Sequence, residues 1–517
     1  MSWIDVKLVA VIIIALAACR HSARDPLVVV TDLGPIRGVA GPDGRAFRGV
    51  PFAASPIGAL RWQPPTEPAA WTDVRDATHN GHACTQLDHG EPRGDSGEDC
   101  LTLEVWVPPG DASGLPVMVW IPGGAFIEGG GNFGLYDGAR LAAREHVIVV
   151  AINYRLGAFG FLAVPELAQH TSLGLLDQQA ALRWVHRNIA AFGGDPAAVT
   201  IFGESAGAWS VCAQLALPSS RGLFARAIME SGACADALYF TEATAEIQGH
   251  ALEAALGCAD LECMRAKPPD AVLRALPGRR GYILPPGAWW GPVIDGHDLA
   301  ATPLSLLRAR GGVPLLVGWN RDEGTLHTIG FDNVTPEELA SFTGDAFGSA
   351  AASVVDTYAR ATAKAVLNDV ITDAVFACGA RRIARTLSAN HVPVYEYEFM
   401  HPLDDPHVHD LGATHSVELW FVFGHGDMGI ELSAAERPLA DWVQDAWGQF
   451  ARTGAPGGDW PRYDATRDEL ELIDGRDLRP ASSAAEWQRG WIDMQRSTAA
   501  HVKADVCDTW DRIAAPN

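Results

Sequence analysis

The chain has 517 residues, of which 48% are hydrophobic and 20% are charged, a composition typical of a globular protein with a substantial core. Its formal net charge is −24, and the sequence contains no basic run. Phosphate binding needs clustered lysine and arginine, so we do not expect nucleic acid as a partner. The length suits several ordinary domains or one large α/β domain with insertions.

Residues 1–18 have the pattern of a signal peptide. The apolar run from Leu8 to Ala18 is shorter than the roughly 20 residues that a membrane-spanning helix needs, but it fits the hydrophobic region of a secretory signal. It ends in Leu-Ala-Ala-Cys, which resembles the lipobox of bacterial lipoproteins. We therefore expect Cys19 to be the lipidated first residue of the mature protein, and a lipid there to be the sole contact with a membrane. Ordinary cleavage, with Cys19 incidental, is the alternative. Both predict export, to the periplasm, the outer membrane or the medium.

From residue 117 onward the chain alternates between strand and helix patterns. "PVMVWI" and "VIVVAINY" predict buried strands, and residues 172–192 predict a long helix that ends at Gly193-Gly194. Further strands are predicted in "AVTIF", "FARAIMESG", 313–320 and 392–399. This alternation predicts an α/β fold with a large, mostly parallel sheet covered by helices on both faces. No linker divides the chain, so we expect one domain over residues 24–517.

The segment "FGESAG" places Ser205 where the strand "AVTIF" gives way to a helix. G-x-S-x-G is the pattern of a nucleophile on a strained turn. Because the chain contains 53 glycines, one such match is weak evidence by itself.

Acids and histidines follow two of the later predicted strands. The order serine, acid, histidine is the chain order of an α/β-hydrolase triad, and the carboxyl ends of parallel strands lie at one edge of a sheet. Spacing alone leaves two acids and four histidines as candidates: Asp322, Glu323, His401, His407, His409 and His415.

Several longer segments resemble the type-B carboxylesterase family, which includes the cholinesterases. They include "FRGVPFAASPIGALRWQPP", "EDCLTLEVWVP", "GWNRDEGT" and "THSVELWFVFG", in that order along the chain. The resemblance implies the α/β-hydrolase fold. It also implies a serine carboxylic-ester hydrolase that acts through an acyl-enzyme on small to medium uncharged esters, with no cofactor and no metal.

The resemblance also implies roles for particular residues. Ser205 corresponds to the nucleophile, Glu323 rather than Asp322 to the acid, and His415 to the base, so His401, His407 and His409 are expected to be loop residues. The backbone N–H groups of the oxyanion hole fall on Gly124, Ala125 and Ala206. Glu204 either sets the charge of the pocket or makes a structural hydrogen bond. The histidine-rich loop contains no recognised zinc spacing.

The cysteines are interpreted through the same resemblance. It implies the disulfides Cys84–Cys100, Cys258–Cys263 and Cys378–Cys507. Cys212 lies on the predicted nucleophile helix, and we expect it to be a buried free thiol. Cys234 has no assignment.

Two departures from the family bear on the substrate. No tryptophan lies between Cys84 and Cys100, where cholinesterases carry the indole that binds choline, so we do not expect a choline ester. Pro122 precedes the oxyanion glycines, where the family often has histidine or an aromatic residue. Trp289 and Trp290 either line the acyl pocket or belong to the core.

Two other functions remain open. One is a lipase in which the 84–100 loop acts as a lid. The other is a non-catalytic binding module, which the presence of Ser205, Glu323 and His415 argues against.

Overall fold

The computed structural model describes residues 25–110, 113–167, 169–234, 239–277, 290–331, 333–358, 360–475 and Cys507, and the expected signal peptide and Cys19 lie outside them. An open ten-stranded sheet forms the centre of the described part. Its strands, in chain order, are β1 (Val39–Gly41), β2 (Gly44–Pro51), β3 (Thr102–Val107), β4 (Leu115–Ile121), β5 (Ile148–Ile152), β6 (Gly194–Glu204), β7 (Arg226–Glu230), β8 (Leu315–Asn320), β9 (Val394–Phe399) and β10 (Glu471–Ile473).

Across the sheet the strands lie in the order β1-β2-β3-β5-β4-β6-β7-β8-β9-β10. The pairs β1–β2, β2–β3 and β3–β5 are antiparallel. Every pair from β5–β4 to β9–β10 is parallel. The prediction of a mostly parallel sheet is therefore confirmed, and β6, β8 and β9 bring their carboxyl ends to one edge.

Helices cover both faces of the sheet. In β4, Val117 and Val119 pack into one hydrophobic cluster, whereas Met118 and Trp120 pack into another. Successive side chains of a strand point to opposite faces, so the two clusters lie on opposite sides of the sheet. Both faces are buried, which explains the continuous apolar runs in the sequence.

The helices are α1 (Ala139–Glu145), α2 (Gly157–Phe161), α3 (Leu173–Asn188), α4 (Ala206–Ala216), α5 (Glu242–Leu256), α6 (Leu261–Arg265), α7 (Pro269–Ala275), α8 (Pro303–Arg310), α9 (Gly324–His327), α10 (Pro336–Phe347), α11 (Ala351–Asp356), α12 (Ala363–Ile371), α13 (Cys378–Ala389), α14 (Leu419–Phe423) and α15 (Arg437–Thr453). A π-helical turn, Thr372–Ala377, joins α12 to α13. Among the described residues, no helix is long and apolar enough to cross a membrane.

The helix expected over residues 172–192 is regular only as far as Asn188. Ile189–Phe192 continue as a 3-10 turn, and Gly193 ends it in the left-handed conformation, with φ 99°. Glycine adopts that conformation readily, so the predicted glycine stop is observed with a tightened last turn.

Short strands accompany the large sheet. Val28–Val30, Pro35–Arg37 and Arg75–Asp76 form a three-stranded sheet, and three further pairs are Ala83–Cys84 with Ser96–Gly97, Leu87–Asp88 with Glu91–Pro92, and Phe240–Thr241 with Val293–Ile294.

Four disulfides join the described cysteines. Three are the pairings that the resemblance implied, Cys84–Cys100, Cys258–Cys263 and Cys378–Cys507. The fourth corrects the sequence analysis, because Cys212 is not a free thiol but is bonded to Cys234. This bridge ties α4, which follows Ser205, to the segment after β7. The two cysteines are 22 residues apart, and only the parallel pairing of β6 with β7 brings them together.

Candidate active site

Ser205 lies on a strained turn between β6 and α4. Its φ is 55° and its ψ is −123°, a conformation that a non-glycine residue rarely adopts. The turn is tight enough that a Cβ on Gly207 would lie 2.0 Å from the carbonyl oxygen of Ile121 at the end of β4. The turn is held by hydrogen bonds from the Ser205 N–H to the Glu230 carbonyl (2.9 Å) and from the Trp209 N–H to the Ser205 carbonyl (3.0 Å). This is the geometry of a nucleophile elbow.

Glu323 and His415 meet beside this turn. Glu323 follows β8 and is fully buried, and its Oε2 lies 2.6 Å from His415 Nδ1. Its other oxygen accepts a hydrogen bond from the backbone N–H of Asn320, at 2.7 Å. The carboxylate is therefore fixed at both oxygens, and it orients the imidazole.

The other imidazole nitrogen faces Glu204. His415 Nε2 lies 3.1 Å from Glu204 Oε1, and the same oxygen accepts a 2.6 Å hydrogen bond from Ser416 Oγ. Within the described residues, Ser205 Oγ has no hydrogen-bond partner, although the side chain is buried. Long hydrogen bonds between a nucleophile and its base are common without substrate. Glu204 thus makes a hydrogen bond with Ser416 and lies against the imidazole, and its expected effect on the charge of the pocket stays a prediction.

Further buried carboxyl groups lie near Glu204 and Glu323. Burial, reinforced by the charge of Glu418, raises the pKa of Glu204 and of Glu230 well above the usual value. Burial and the charge of Glu323 raise the pKa of Glu418 to about 8. Ser231 Oγ and Asn320 Nδ2 donate to Glu418, and Trp447 Nε1 donates to Glu230. The raised pKa of Glu204 favours its protonated form, which makes a hydrogen bond rather than an ion pair with a neutral imidazole.

Burial also acts on the histidine itself. It lowers the pKa of His415 to about 3, which keeps the imidazole neutral at pH 7. Two further rings pack against it, His327 at 4.9 Å and Phe376 of the π-helical turn at 4.7 Å between centroids. Burial lowers the pKa of His327 as well. A neutral, enclosed imidazole can accept a proton from a hydroxyl group.

A glycine-rich loop covers the turn on its other side. A Cβ on Gly123 would lie 2.7 Å from the Glu204 carbonyl oxygen and 3.2 Å from Ser205 Cβ. Gly124, Ala125 and Phe126 follow with φ of 103°, 52° and 61°. The loop is anchored by Gln86, whose side chain makes hydrogen bonds of 2.8 and 3.0 Å with the backbone of Gly129.

Ala206 completes the set of expected backbone donors, because it is the first residue of α4, and N–H groups in a first helical turn have no intrahelical partner. The three residues that the resemblance assigned to an oxyanion hole therefore lie on the two segments that meet at Ser205.

Pro122, which precedes these donors, is held by Tyr154, whose hydroxyl donates to the Pro122 carbonyl at 2.9 Å.

A cavity of about 160 Å³ opens beside this loop. Its lining includes the backbone of Gly123 and Gly124 and a mixed set of charged and aromatic side chains: Asp88, Arg93, Glu128, Phe133 and Tyr136. The guanidinium of Arg93 lies over the Phe133 ring at 4.3 Å.

The structure describes one of the two tryptophans considered for the acyl pocket. Trp290 is 3% exposed and is part of the core cluster, and Trp289 lies outside the described residues. Whether the pair lines an acyl pocket stays a prediction.

The remaining sequence candidates have other partners. Asp322 accepts a hydrogen bond from the Ala413 N–H (2.9 Å), and His401 packs edge-on against Phe421. His407 pairs with Asp405, and His409 bonds to the Leu403 carbonyl, each at 2.8 Å. Among these acids and histidines, the described structure joins Glu323 to His415.

Among the contributors to the site that were missed in the sequence are Ser416, Glu418, His327 and Phe376. Ser416 and Glu418 lie within the segment "THSVELW", where only His415 attracted attention. His327 is one turn after Glu323 and could have been suspected from "RDEGTLH". Phe376 had no signal, because its position depends on the π-helical turn.

Comparison with known proteins accounts for this geometry. The model of the carboxylesterase family matches residues 25–482. The chain belongs to the carboxylesterase family. The para-nitrobenzyl esterase of Bacillus subtilis is 38% identical over 474 residues, which cover 86% of this chain and 94% of that one. The cholinesterase of Mus musculus is 34% identical, over 86% of this chain and 83% of its own. The crystal structure of carboxylesterase EST55 from Geobacillus stearothermophilus superposes with a TM-score of 0.78 at 34% identity, over 90% and 100% of the two chains.

This carboxylesterase is therefore a serine carboxylic-ester hydrolase with the α/β-hydrolase fold, and its substrates are small-molecule esters. The comparisons with esterases favour neither the lipase nor the non-catalytic binding module.

The lowered pKa of His415 predicts that the enzyme loses activity on acidification at a lower pH than an ordinary histidine would allow. The resemblance assigns His415 as the base, which accepts a proton only when its imidazole is neutral. We therefore expect activity to fall as pH drops through the lowered pKa rather than through 6.5, the ordinary value. We expect the midpoint of kcat/KM for p-nitrophenyl acetate to lie about one pH unit or more below 6.5. Full recovery after return to pH 7 is the control for acid unfolding. A midpoint at 6.5 or above would contradict the prediction.

Proposed function

We propose that Ser205, His415 and Glu323 carry out ester hydrolysis in two steps. Ser205 Oγ attacks the ester carbonyl carbon while His415 Nε2 takes the hydroxyl proton, and the alcohol then leaves with that proton. A water molecule attacks the acyl-enzyme by the reverse route, and the acid is released. The observation that carries this assignment is the 2.6 Å contact between His415 Nδ1 and Glu323 Oε2 beside the strained turn of Ser205.

The imidazole must turn from Glu204 toward Ser205 for this chemistry. Nε2 lies 3.1 Å from a carboxyl oxygen of Glu204, the residue directly before Ser205. Transfer of that hydrogen-bond contact from Glu204 to Ser205 Oγ brings base and nucleophile together, and Nδ1 keeps its bond to Glu323. Proton transfer to Nε2 leaves a charged imidazolium, which Glu323 stabilises.

The negative oxygen of the tetrahedral intermediate is assigned to the N–H groups of Gly124, Ala125 and Ala206. Support comes from their placement on the loop and the helix start that meet at Ser205. Fixed backbone donors of this kind contribute about 3 kcal/mol each to transition-state stabilisation.

The preferred substrates are small to medium uncharged esters. The cavity beside the oxyanion loop holds about 160 Å³, which suits a compact alcohol group. Its two carboxyl groups are balanced in part by Arg93, and its described lining residues include no indole for a quaternary ammonium group.

Export as a lipoprotein is the proposed location. The Leu-Ala-Ala-Cys segment motivates lipidation of Cys19, and the four disulfides support an oxidising compartment.

The triad assignment predicts a clear difference between two histidines. Ser205→Ala and His415→Ala should each lower kcat for p-nitrophenyl butyrate by about 10⁴-fold or more, because the nucleophile and its base act as a unit. His407→Ala is the matched control, since His407 pairs with Asp405 on an exposed loop, and it should keep wild-type activity. Labelling by a fluorophosphonate should follow the same pattern. An active His415 variant or an inactive, folded His407 variant would refute the assignment.

The oxyanion loop predicts turnover of hindered alcohol esters. All its donors belong to the backbone, and Ala125 adds only a methyl group, so width remains beside Ser205 for a tertiary alcohol. We expect measurable hydrolysis of tert-butyl acetate. Acetylthiocholine should have a kcat/KM no higher than its uncharged isostere, in which carbon replaces the quaternary nitrogen. Absence of tert-butyl ester turnover would overturn the loop argument, and a strong preference for the cation would overturn the assignment of uncharged substrates.

Lipidation of Cys19 is tested by fractionation and mass. The wild-type protein should be found in the membrane fraction with a diacylated mature N-terminus, and Cys19→Ser should release active enzyme. Intact mass showing an unmodified mature chain that begins elsewhere would disprove the lipoprotein proposal.

A further inference from the structure

A second cluster of chemistry-bearing side chains lies away from the triad. His170 precedes α3, and His297 and Asp298 follow the short strand Val293–Ile294. One oxygen of Asp298 lies 3.0 Å from His170 Nδ1, and its other oxygen lies 3.2 Å from His297 Nδ1. The two imidazole rings are 5.5 Å apart and nearly perpendicular. No residue is shared between this cluster and the triad or its contacts described above.

These three side chains offer the donor set of a transition-metal site. Two imidazole nitrogens and one carboxylate oxygen suit Zn²⁺, which takes such ligands at about 2.0–2.2 Å with water in the remaining position. One ligand atom from each residue lies within 4.8 Å of the other two. Ligand atoms around a single tetrahedral ion are about 3.3 Å apart, so the side chains must close by roughly 1.5 Å at most.

The burial of the three residues allows that closure. The side chains of His170 and His297 are 36% and 55% exposed, so both rings are free to rotate toward a common centre. The Asp298 side chain is only 17% exposed and supplies the fixed point between them. An exposed carboxylate alone would bind a transition metal weakly, whereas two imidazoles add ligands with high affinity for Zn²⁺ and Cu²⁺.

The backbone around the cluster is already fixed. Asp295 Oδ1 accepts hydrogen bonds from the N–H groups of His297 (2.9 Å) and Leu299 (3.0 Å), and Asp295 Oδ2 accepts one from Thr171 Oγ1 (3.2 Å). Ser172 Oγ accepts from the Val293 N–H at 2.9 Å. These bonds join the two segments that carry the three ligands and hold their backbones next to each other.

The other histidine–carboxylate contacts among the described residues lack this arrangement. His407 with Asp405 and His250 with Glu253 each combine one imidazole with one carboxylate, both at 2.8 Å. Within the described ranges, His170, His297 and Asp298 are the group of three or more potential ligands that lies close enough to share an ion.

We propose that His170, His297 and Asp298 bind one divalent transition-metal ion of the Zn²⁺ type. The ion links the segment before α3 to the loop after Val293–Ile294, two parts of the chain 128 residues apart. It stabilises the folded protein by binding the native arrangement alone, and it takes no part in ester hydrolysis. The sequence analysis expected no metal, and this proposal departs from that expectation because only the fold brings His170 and Asp298 together.

The experiment measures Zn²⁺ binding by the full-length chain without a polyhistidine tag. Metal-stripped protein is titrated with Zn²⁺ in competition with a chromogenic chelator. We expect one tight equivalent per chain for the wild type and at least about a tenfold weaker affinity for His170→Ala and for His297→Ala. Saturating Zn²⁺ should raise the Tm of the wild type and leave the Tm of both variants unchanged.

His407→Ala is the matched control, because it removes an exposed imidazole from a contact with a single carboxylate. It should bind Zn²⁺ with wild-type affinity. Hydrolysis of p-nitrophenyl butyrate at the wild-type rate shows that each variant is folded. Unchanged Zn²⁺ affinity in both His170→Ala and His297→Ala, or the lack of a tight equivalent in the wild type, would overturn the site. Tight binding without a rise in Tm would overturn its stabilising role.

Discussion

The approach of three backbone segments around Ser205 is the constraint on which the active site depends. The turn after β6 and the end of β4 are too close for any side chain between them. A Cβ at Gly207 would lie 2.0 Å from the Ile121 carbonyl oxygen, and a Cβ at Gly123 would lie 2.7 Å from the Glu204 carbonyl oxygen. A third segment closes in at Gly232, where a Cβ would lie 2.6 Å from the Ser205 carbonyl. Glycine lets these backbones touch, and the strained φ of Ser205 is maintained because the parallel strands on both sides leave the turn no room to relax.

The same close packing explains the electrostatics of the site. Glu204, Glu230, Glu323 and Glu418 are all buried, and Glu204 and Glu323 contact the imidazole of His415. In a medium of low polarity, burial and mutual repulsion raise the pKa of Glu204, Glu230 and Glu418. Binding a proton removes the charge of a carboxyl group, so the groups can stay close together without repelling one another. Each of these three has a donor from a neighbouring element, and the hydrogen bonds hold the carboxyl groups in place. The raised pKa values favour the protonated forms of these three carboxyl groups.

Disulfides and hydrogen bonds hold the loops around Ser205 in place. Cys212–Cys234 fixes the nucleophile helix to the segment that follows β7. Cys84–Cys100 closes the loop from which Gln86 reaches the backbone of Gly129, and Gly129 follows the oxyanion loop. A bridge over a loop of that length contributes about 3 kcal/mol by restricting the unfolded chain. The site is thus held from both sides of Ser205, which suits chemistry that relies on fixed donors.

The sequence by itself determined the sheet, the glycine-rich turns and the family. Apolar strands and helix stops are local patterns, and the acid and the histidine could be chosen once longer segments resembled known esterases. Only the tertiary structure decided the partner of Cys212, the place of Glu204 between Ser416 and His415, and the packing of Phe376 on the imidazole. Each of these depends on a distance between residues that are remote in sequence or on an irregular turn such as Thr372–Ala377. Local periodicity carries no information about such distances. The same is true of His170 and Asp298, which the fold brings to 3.0 Å across 128 residues.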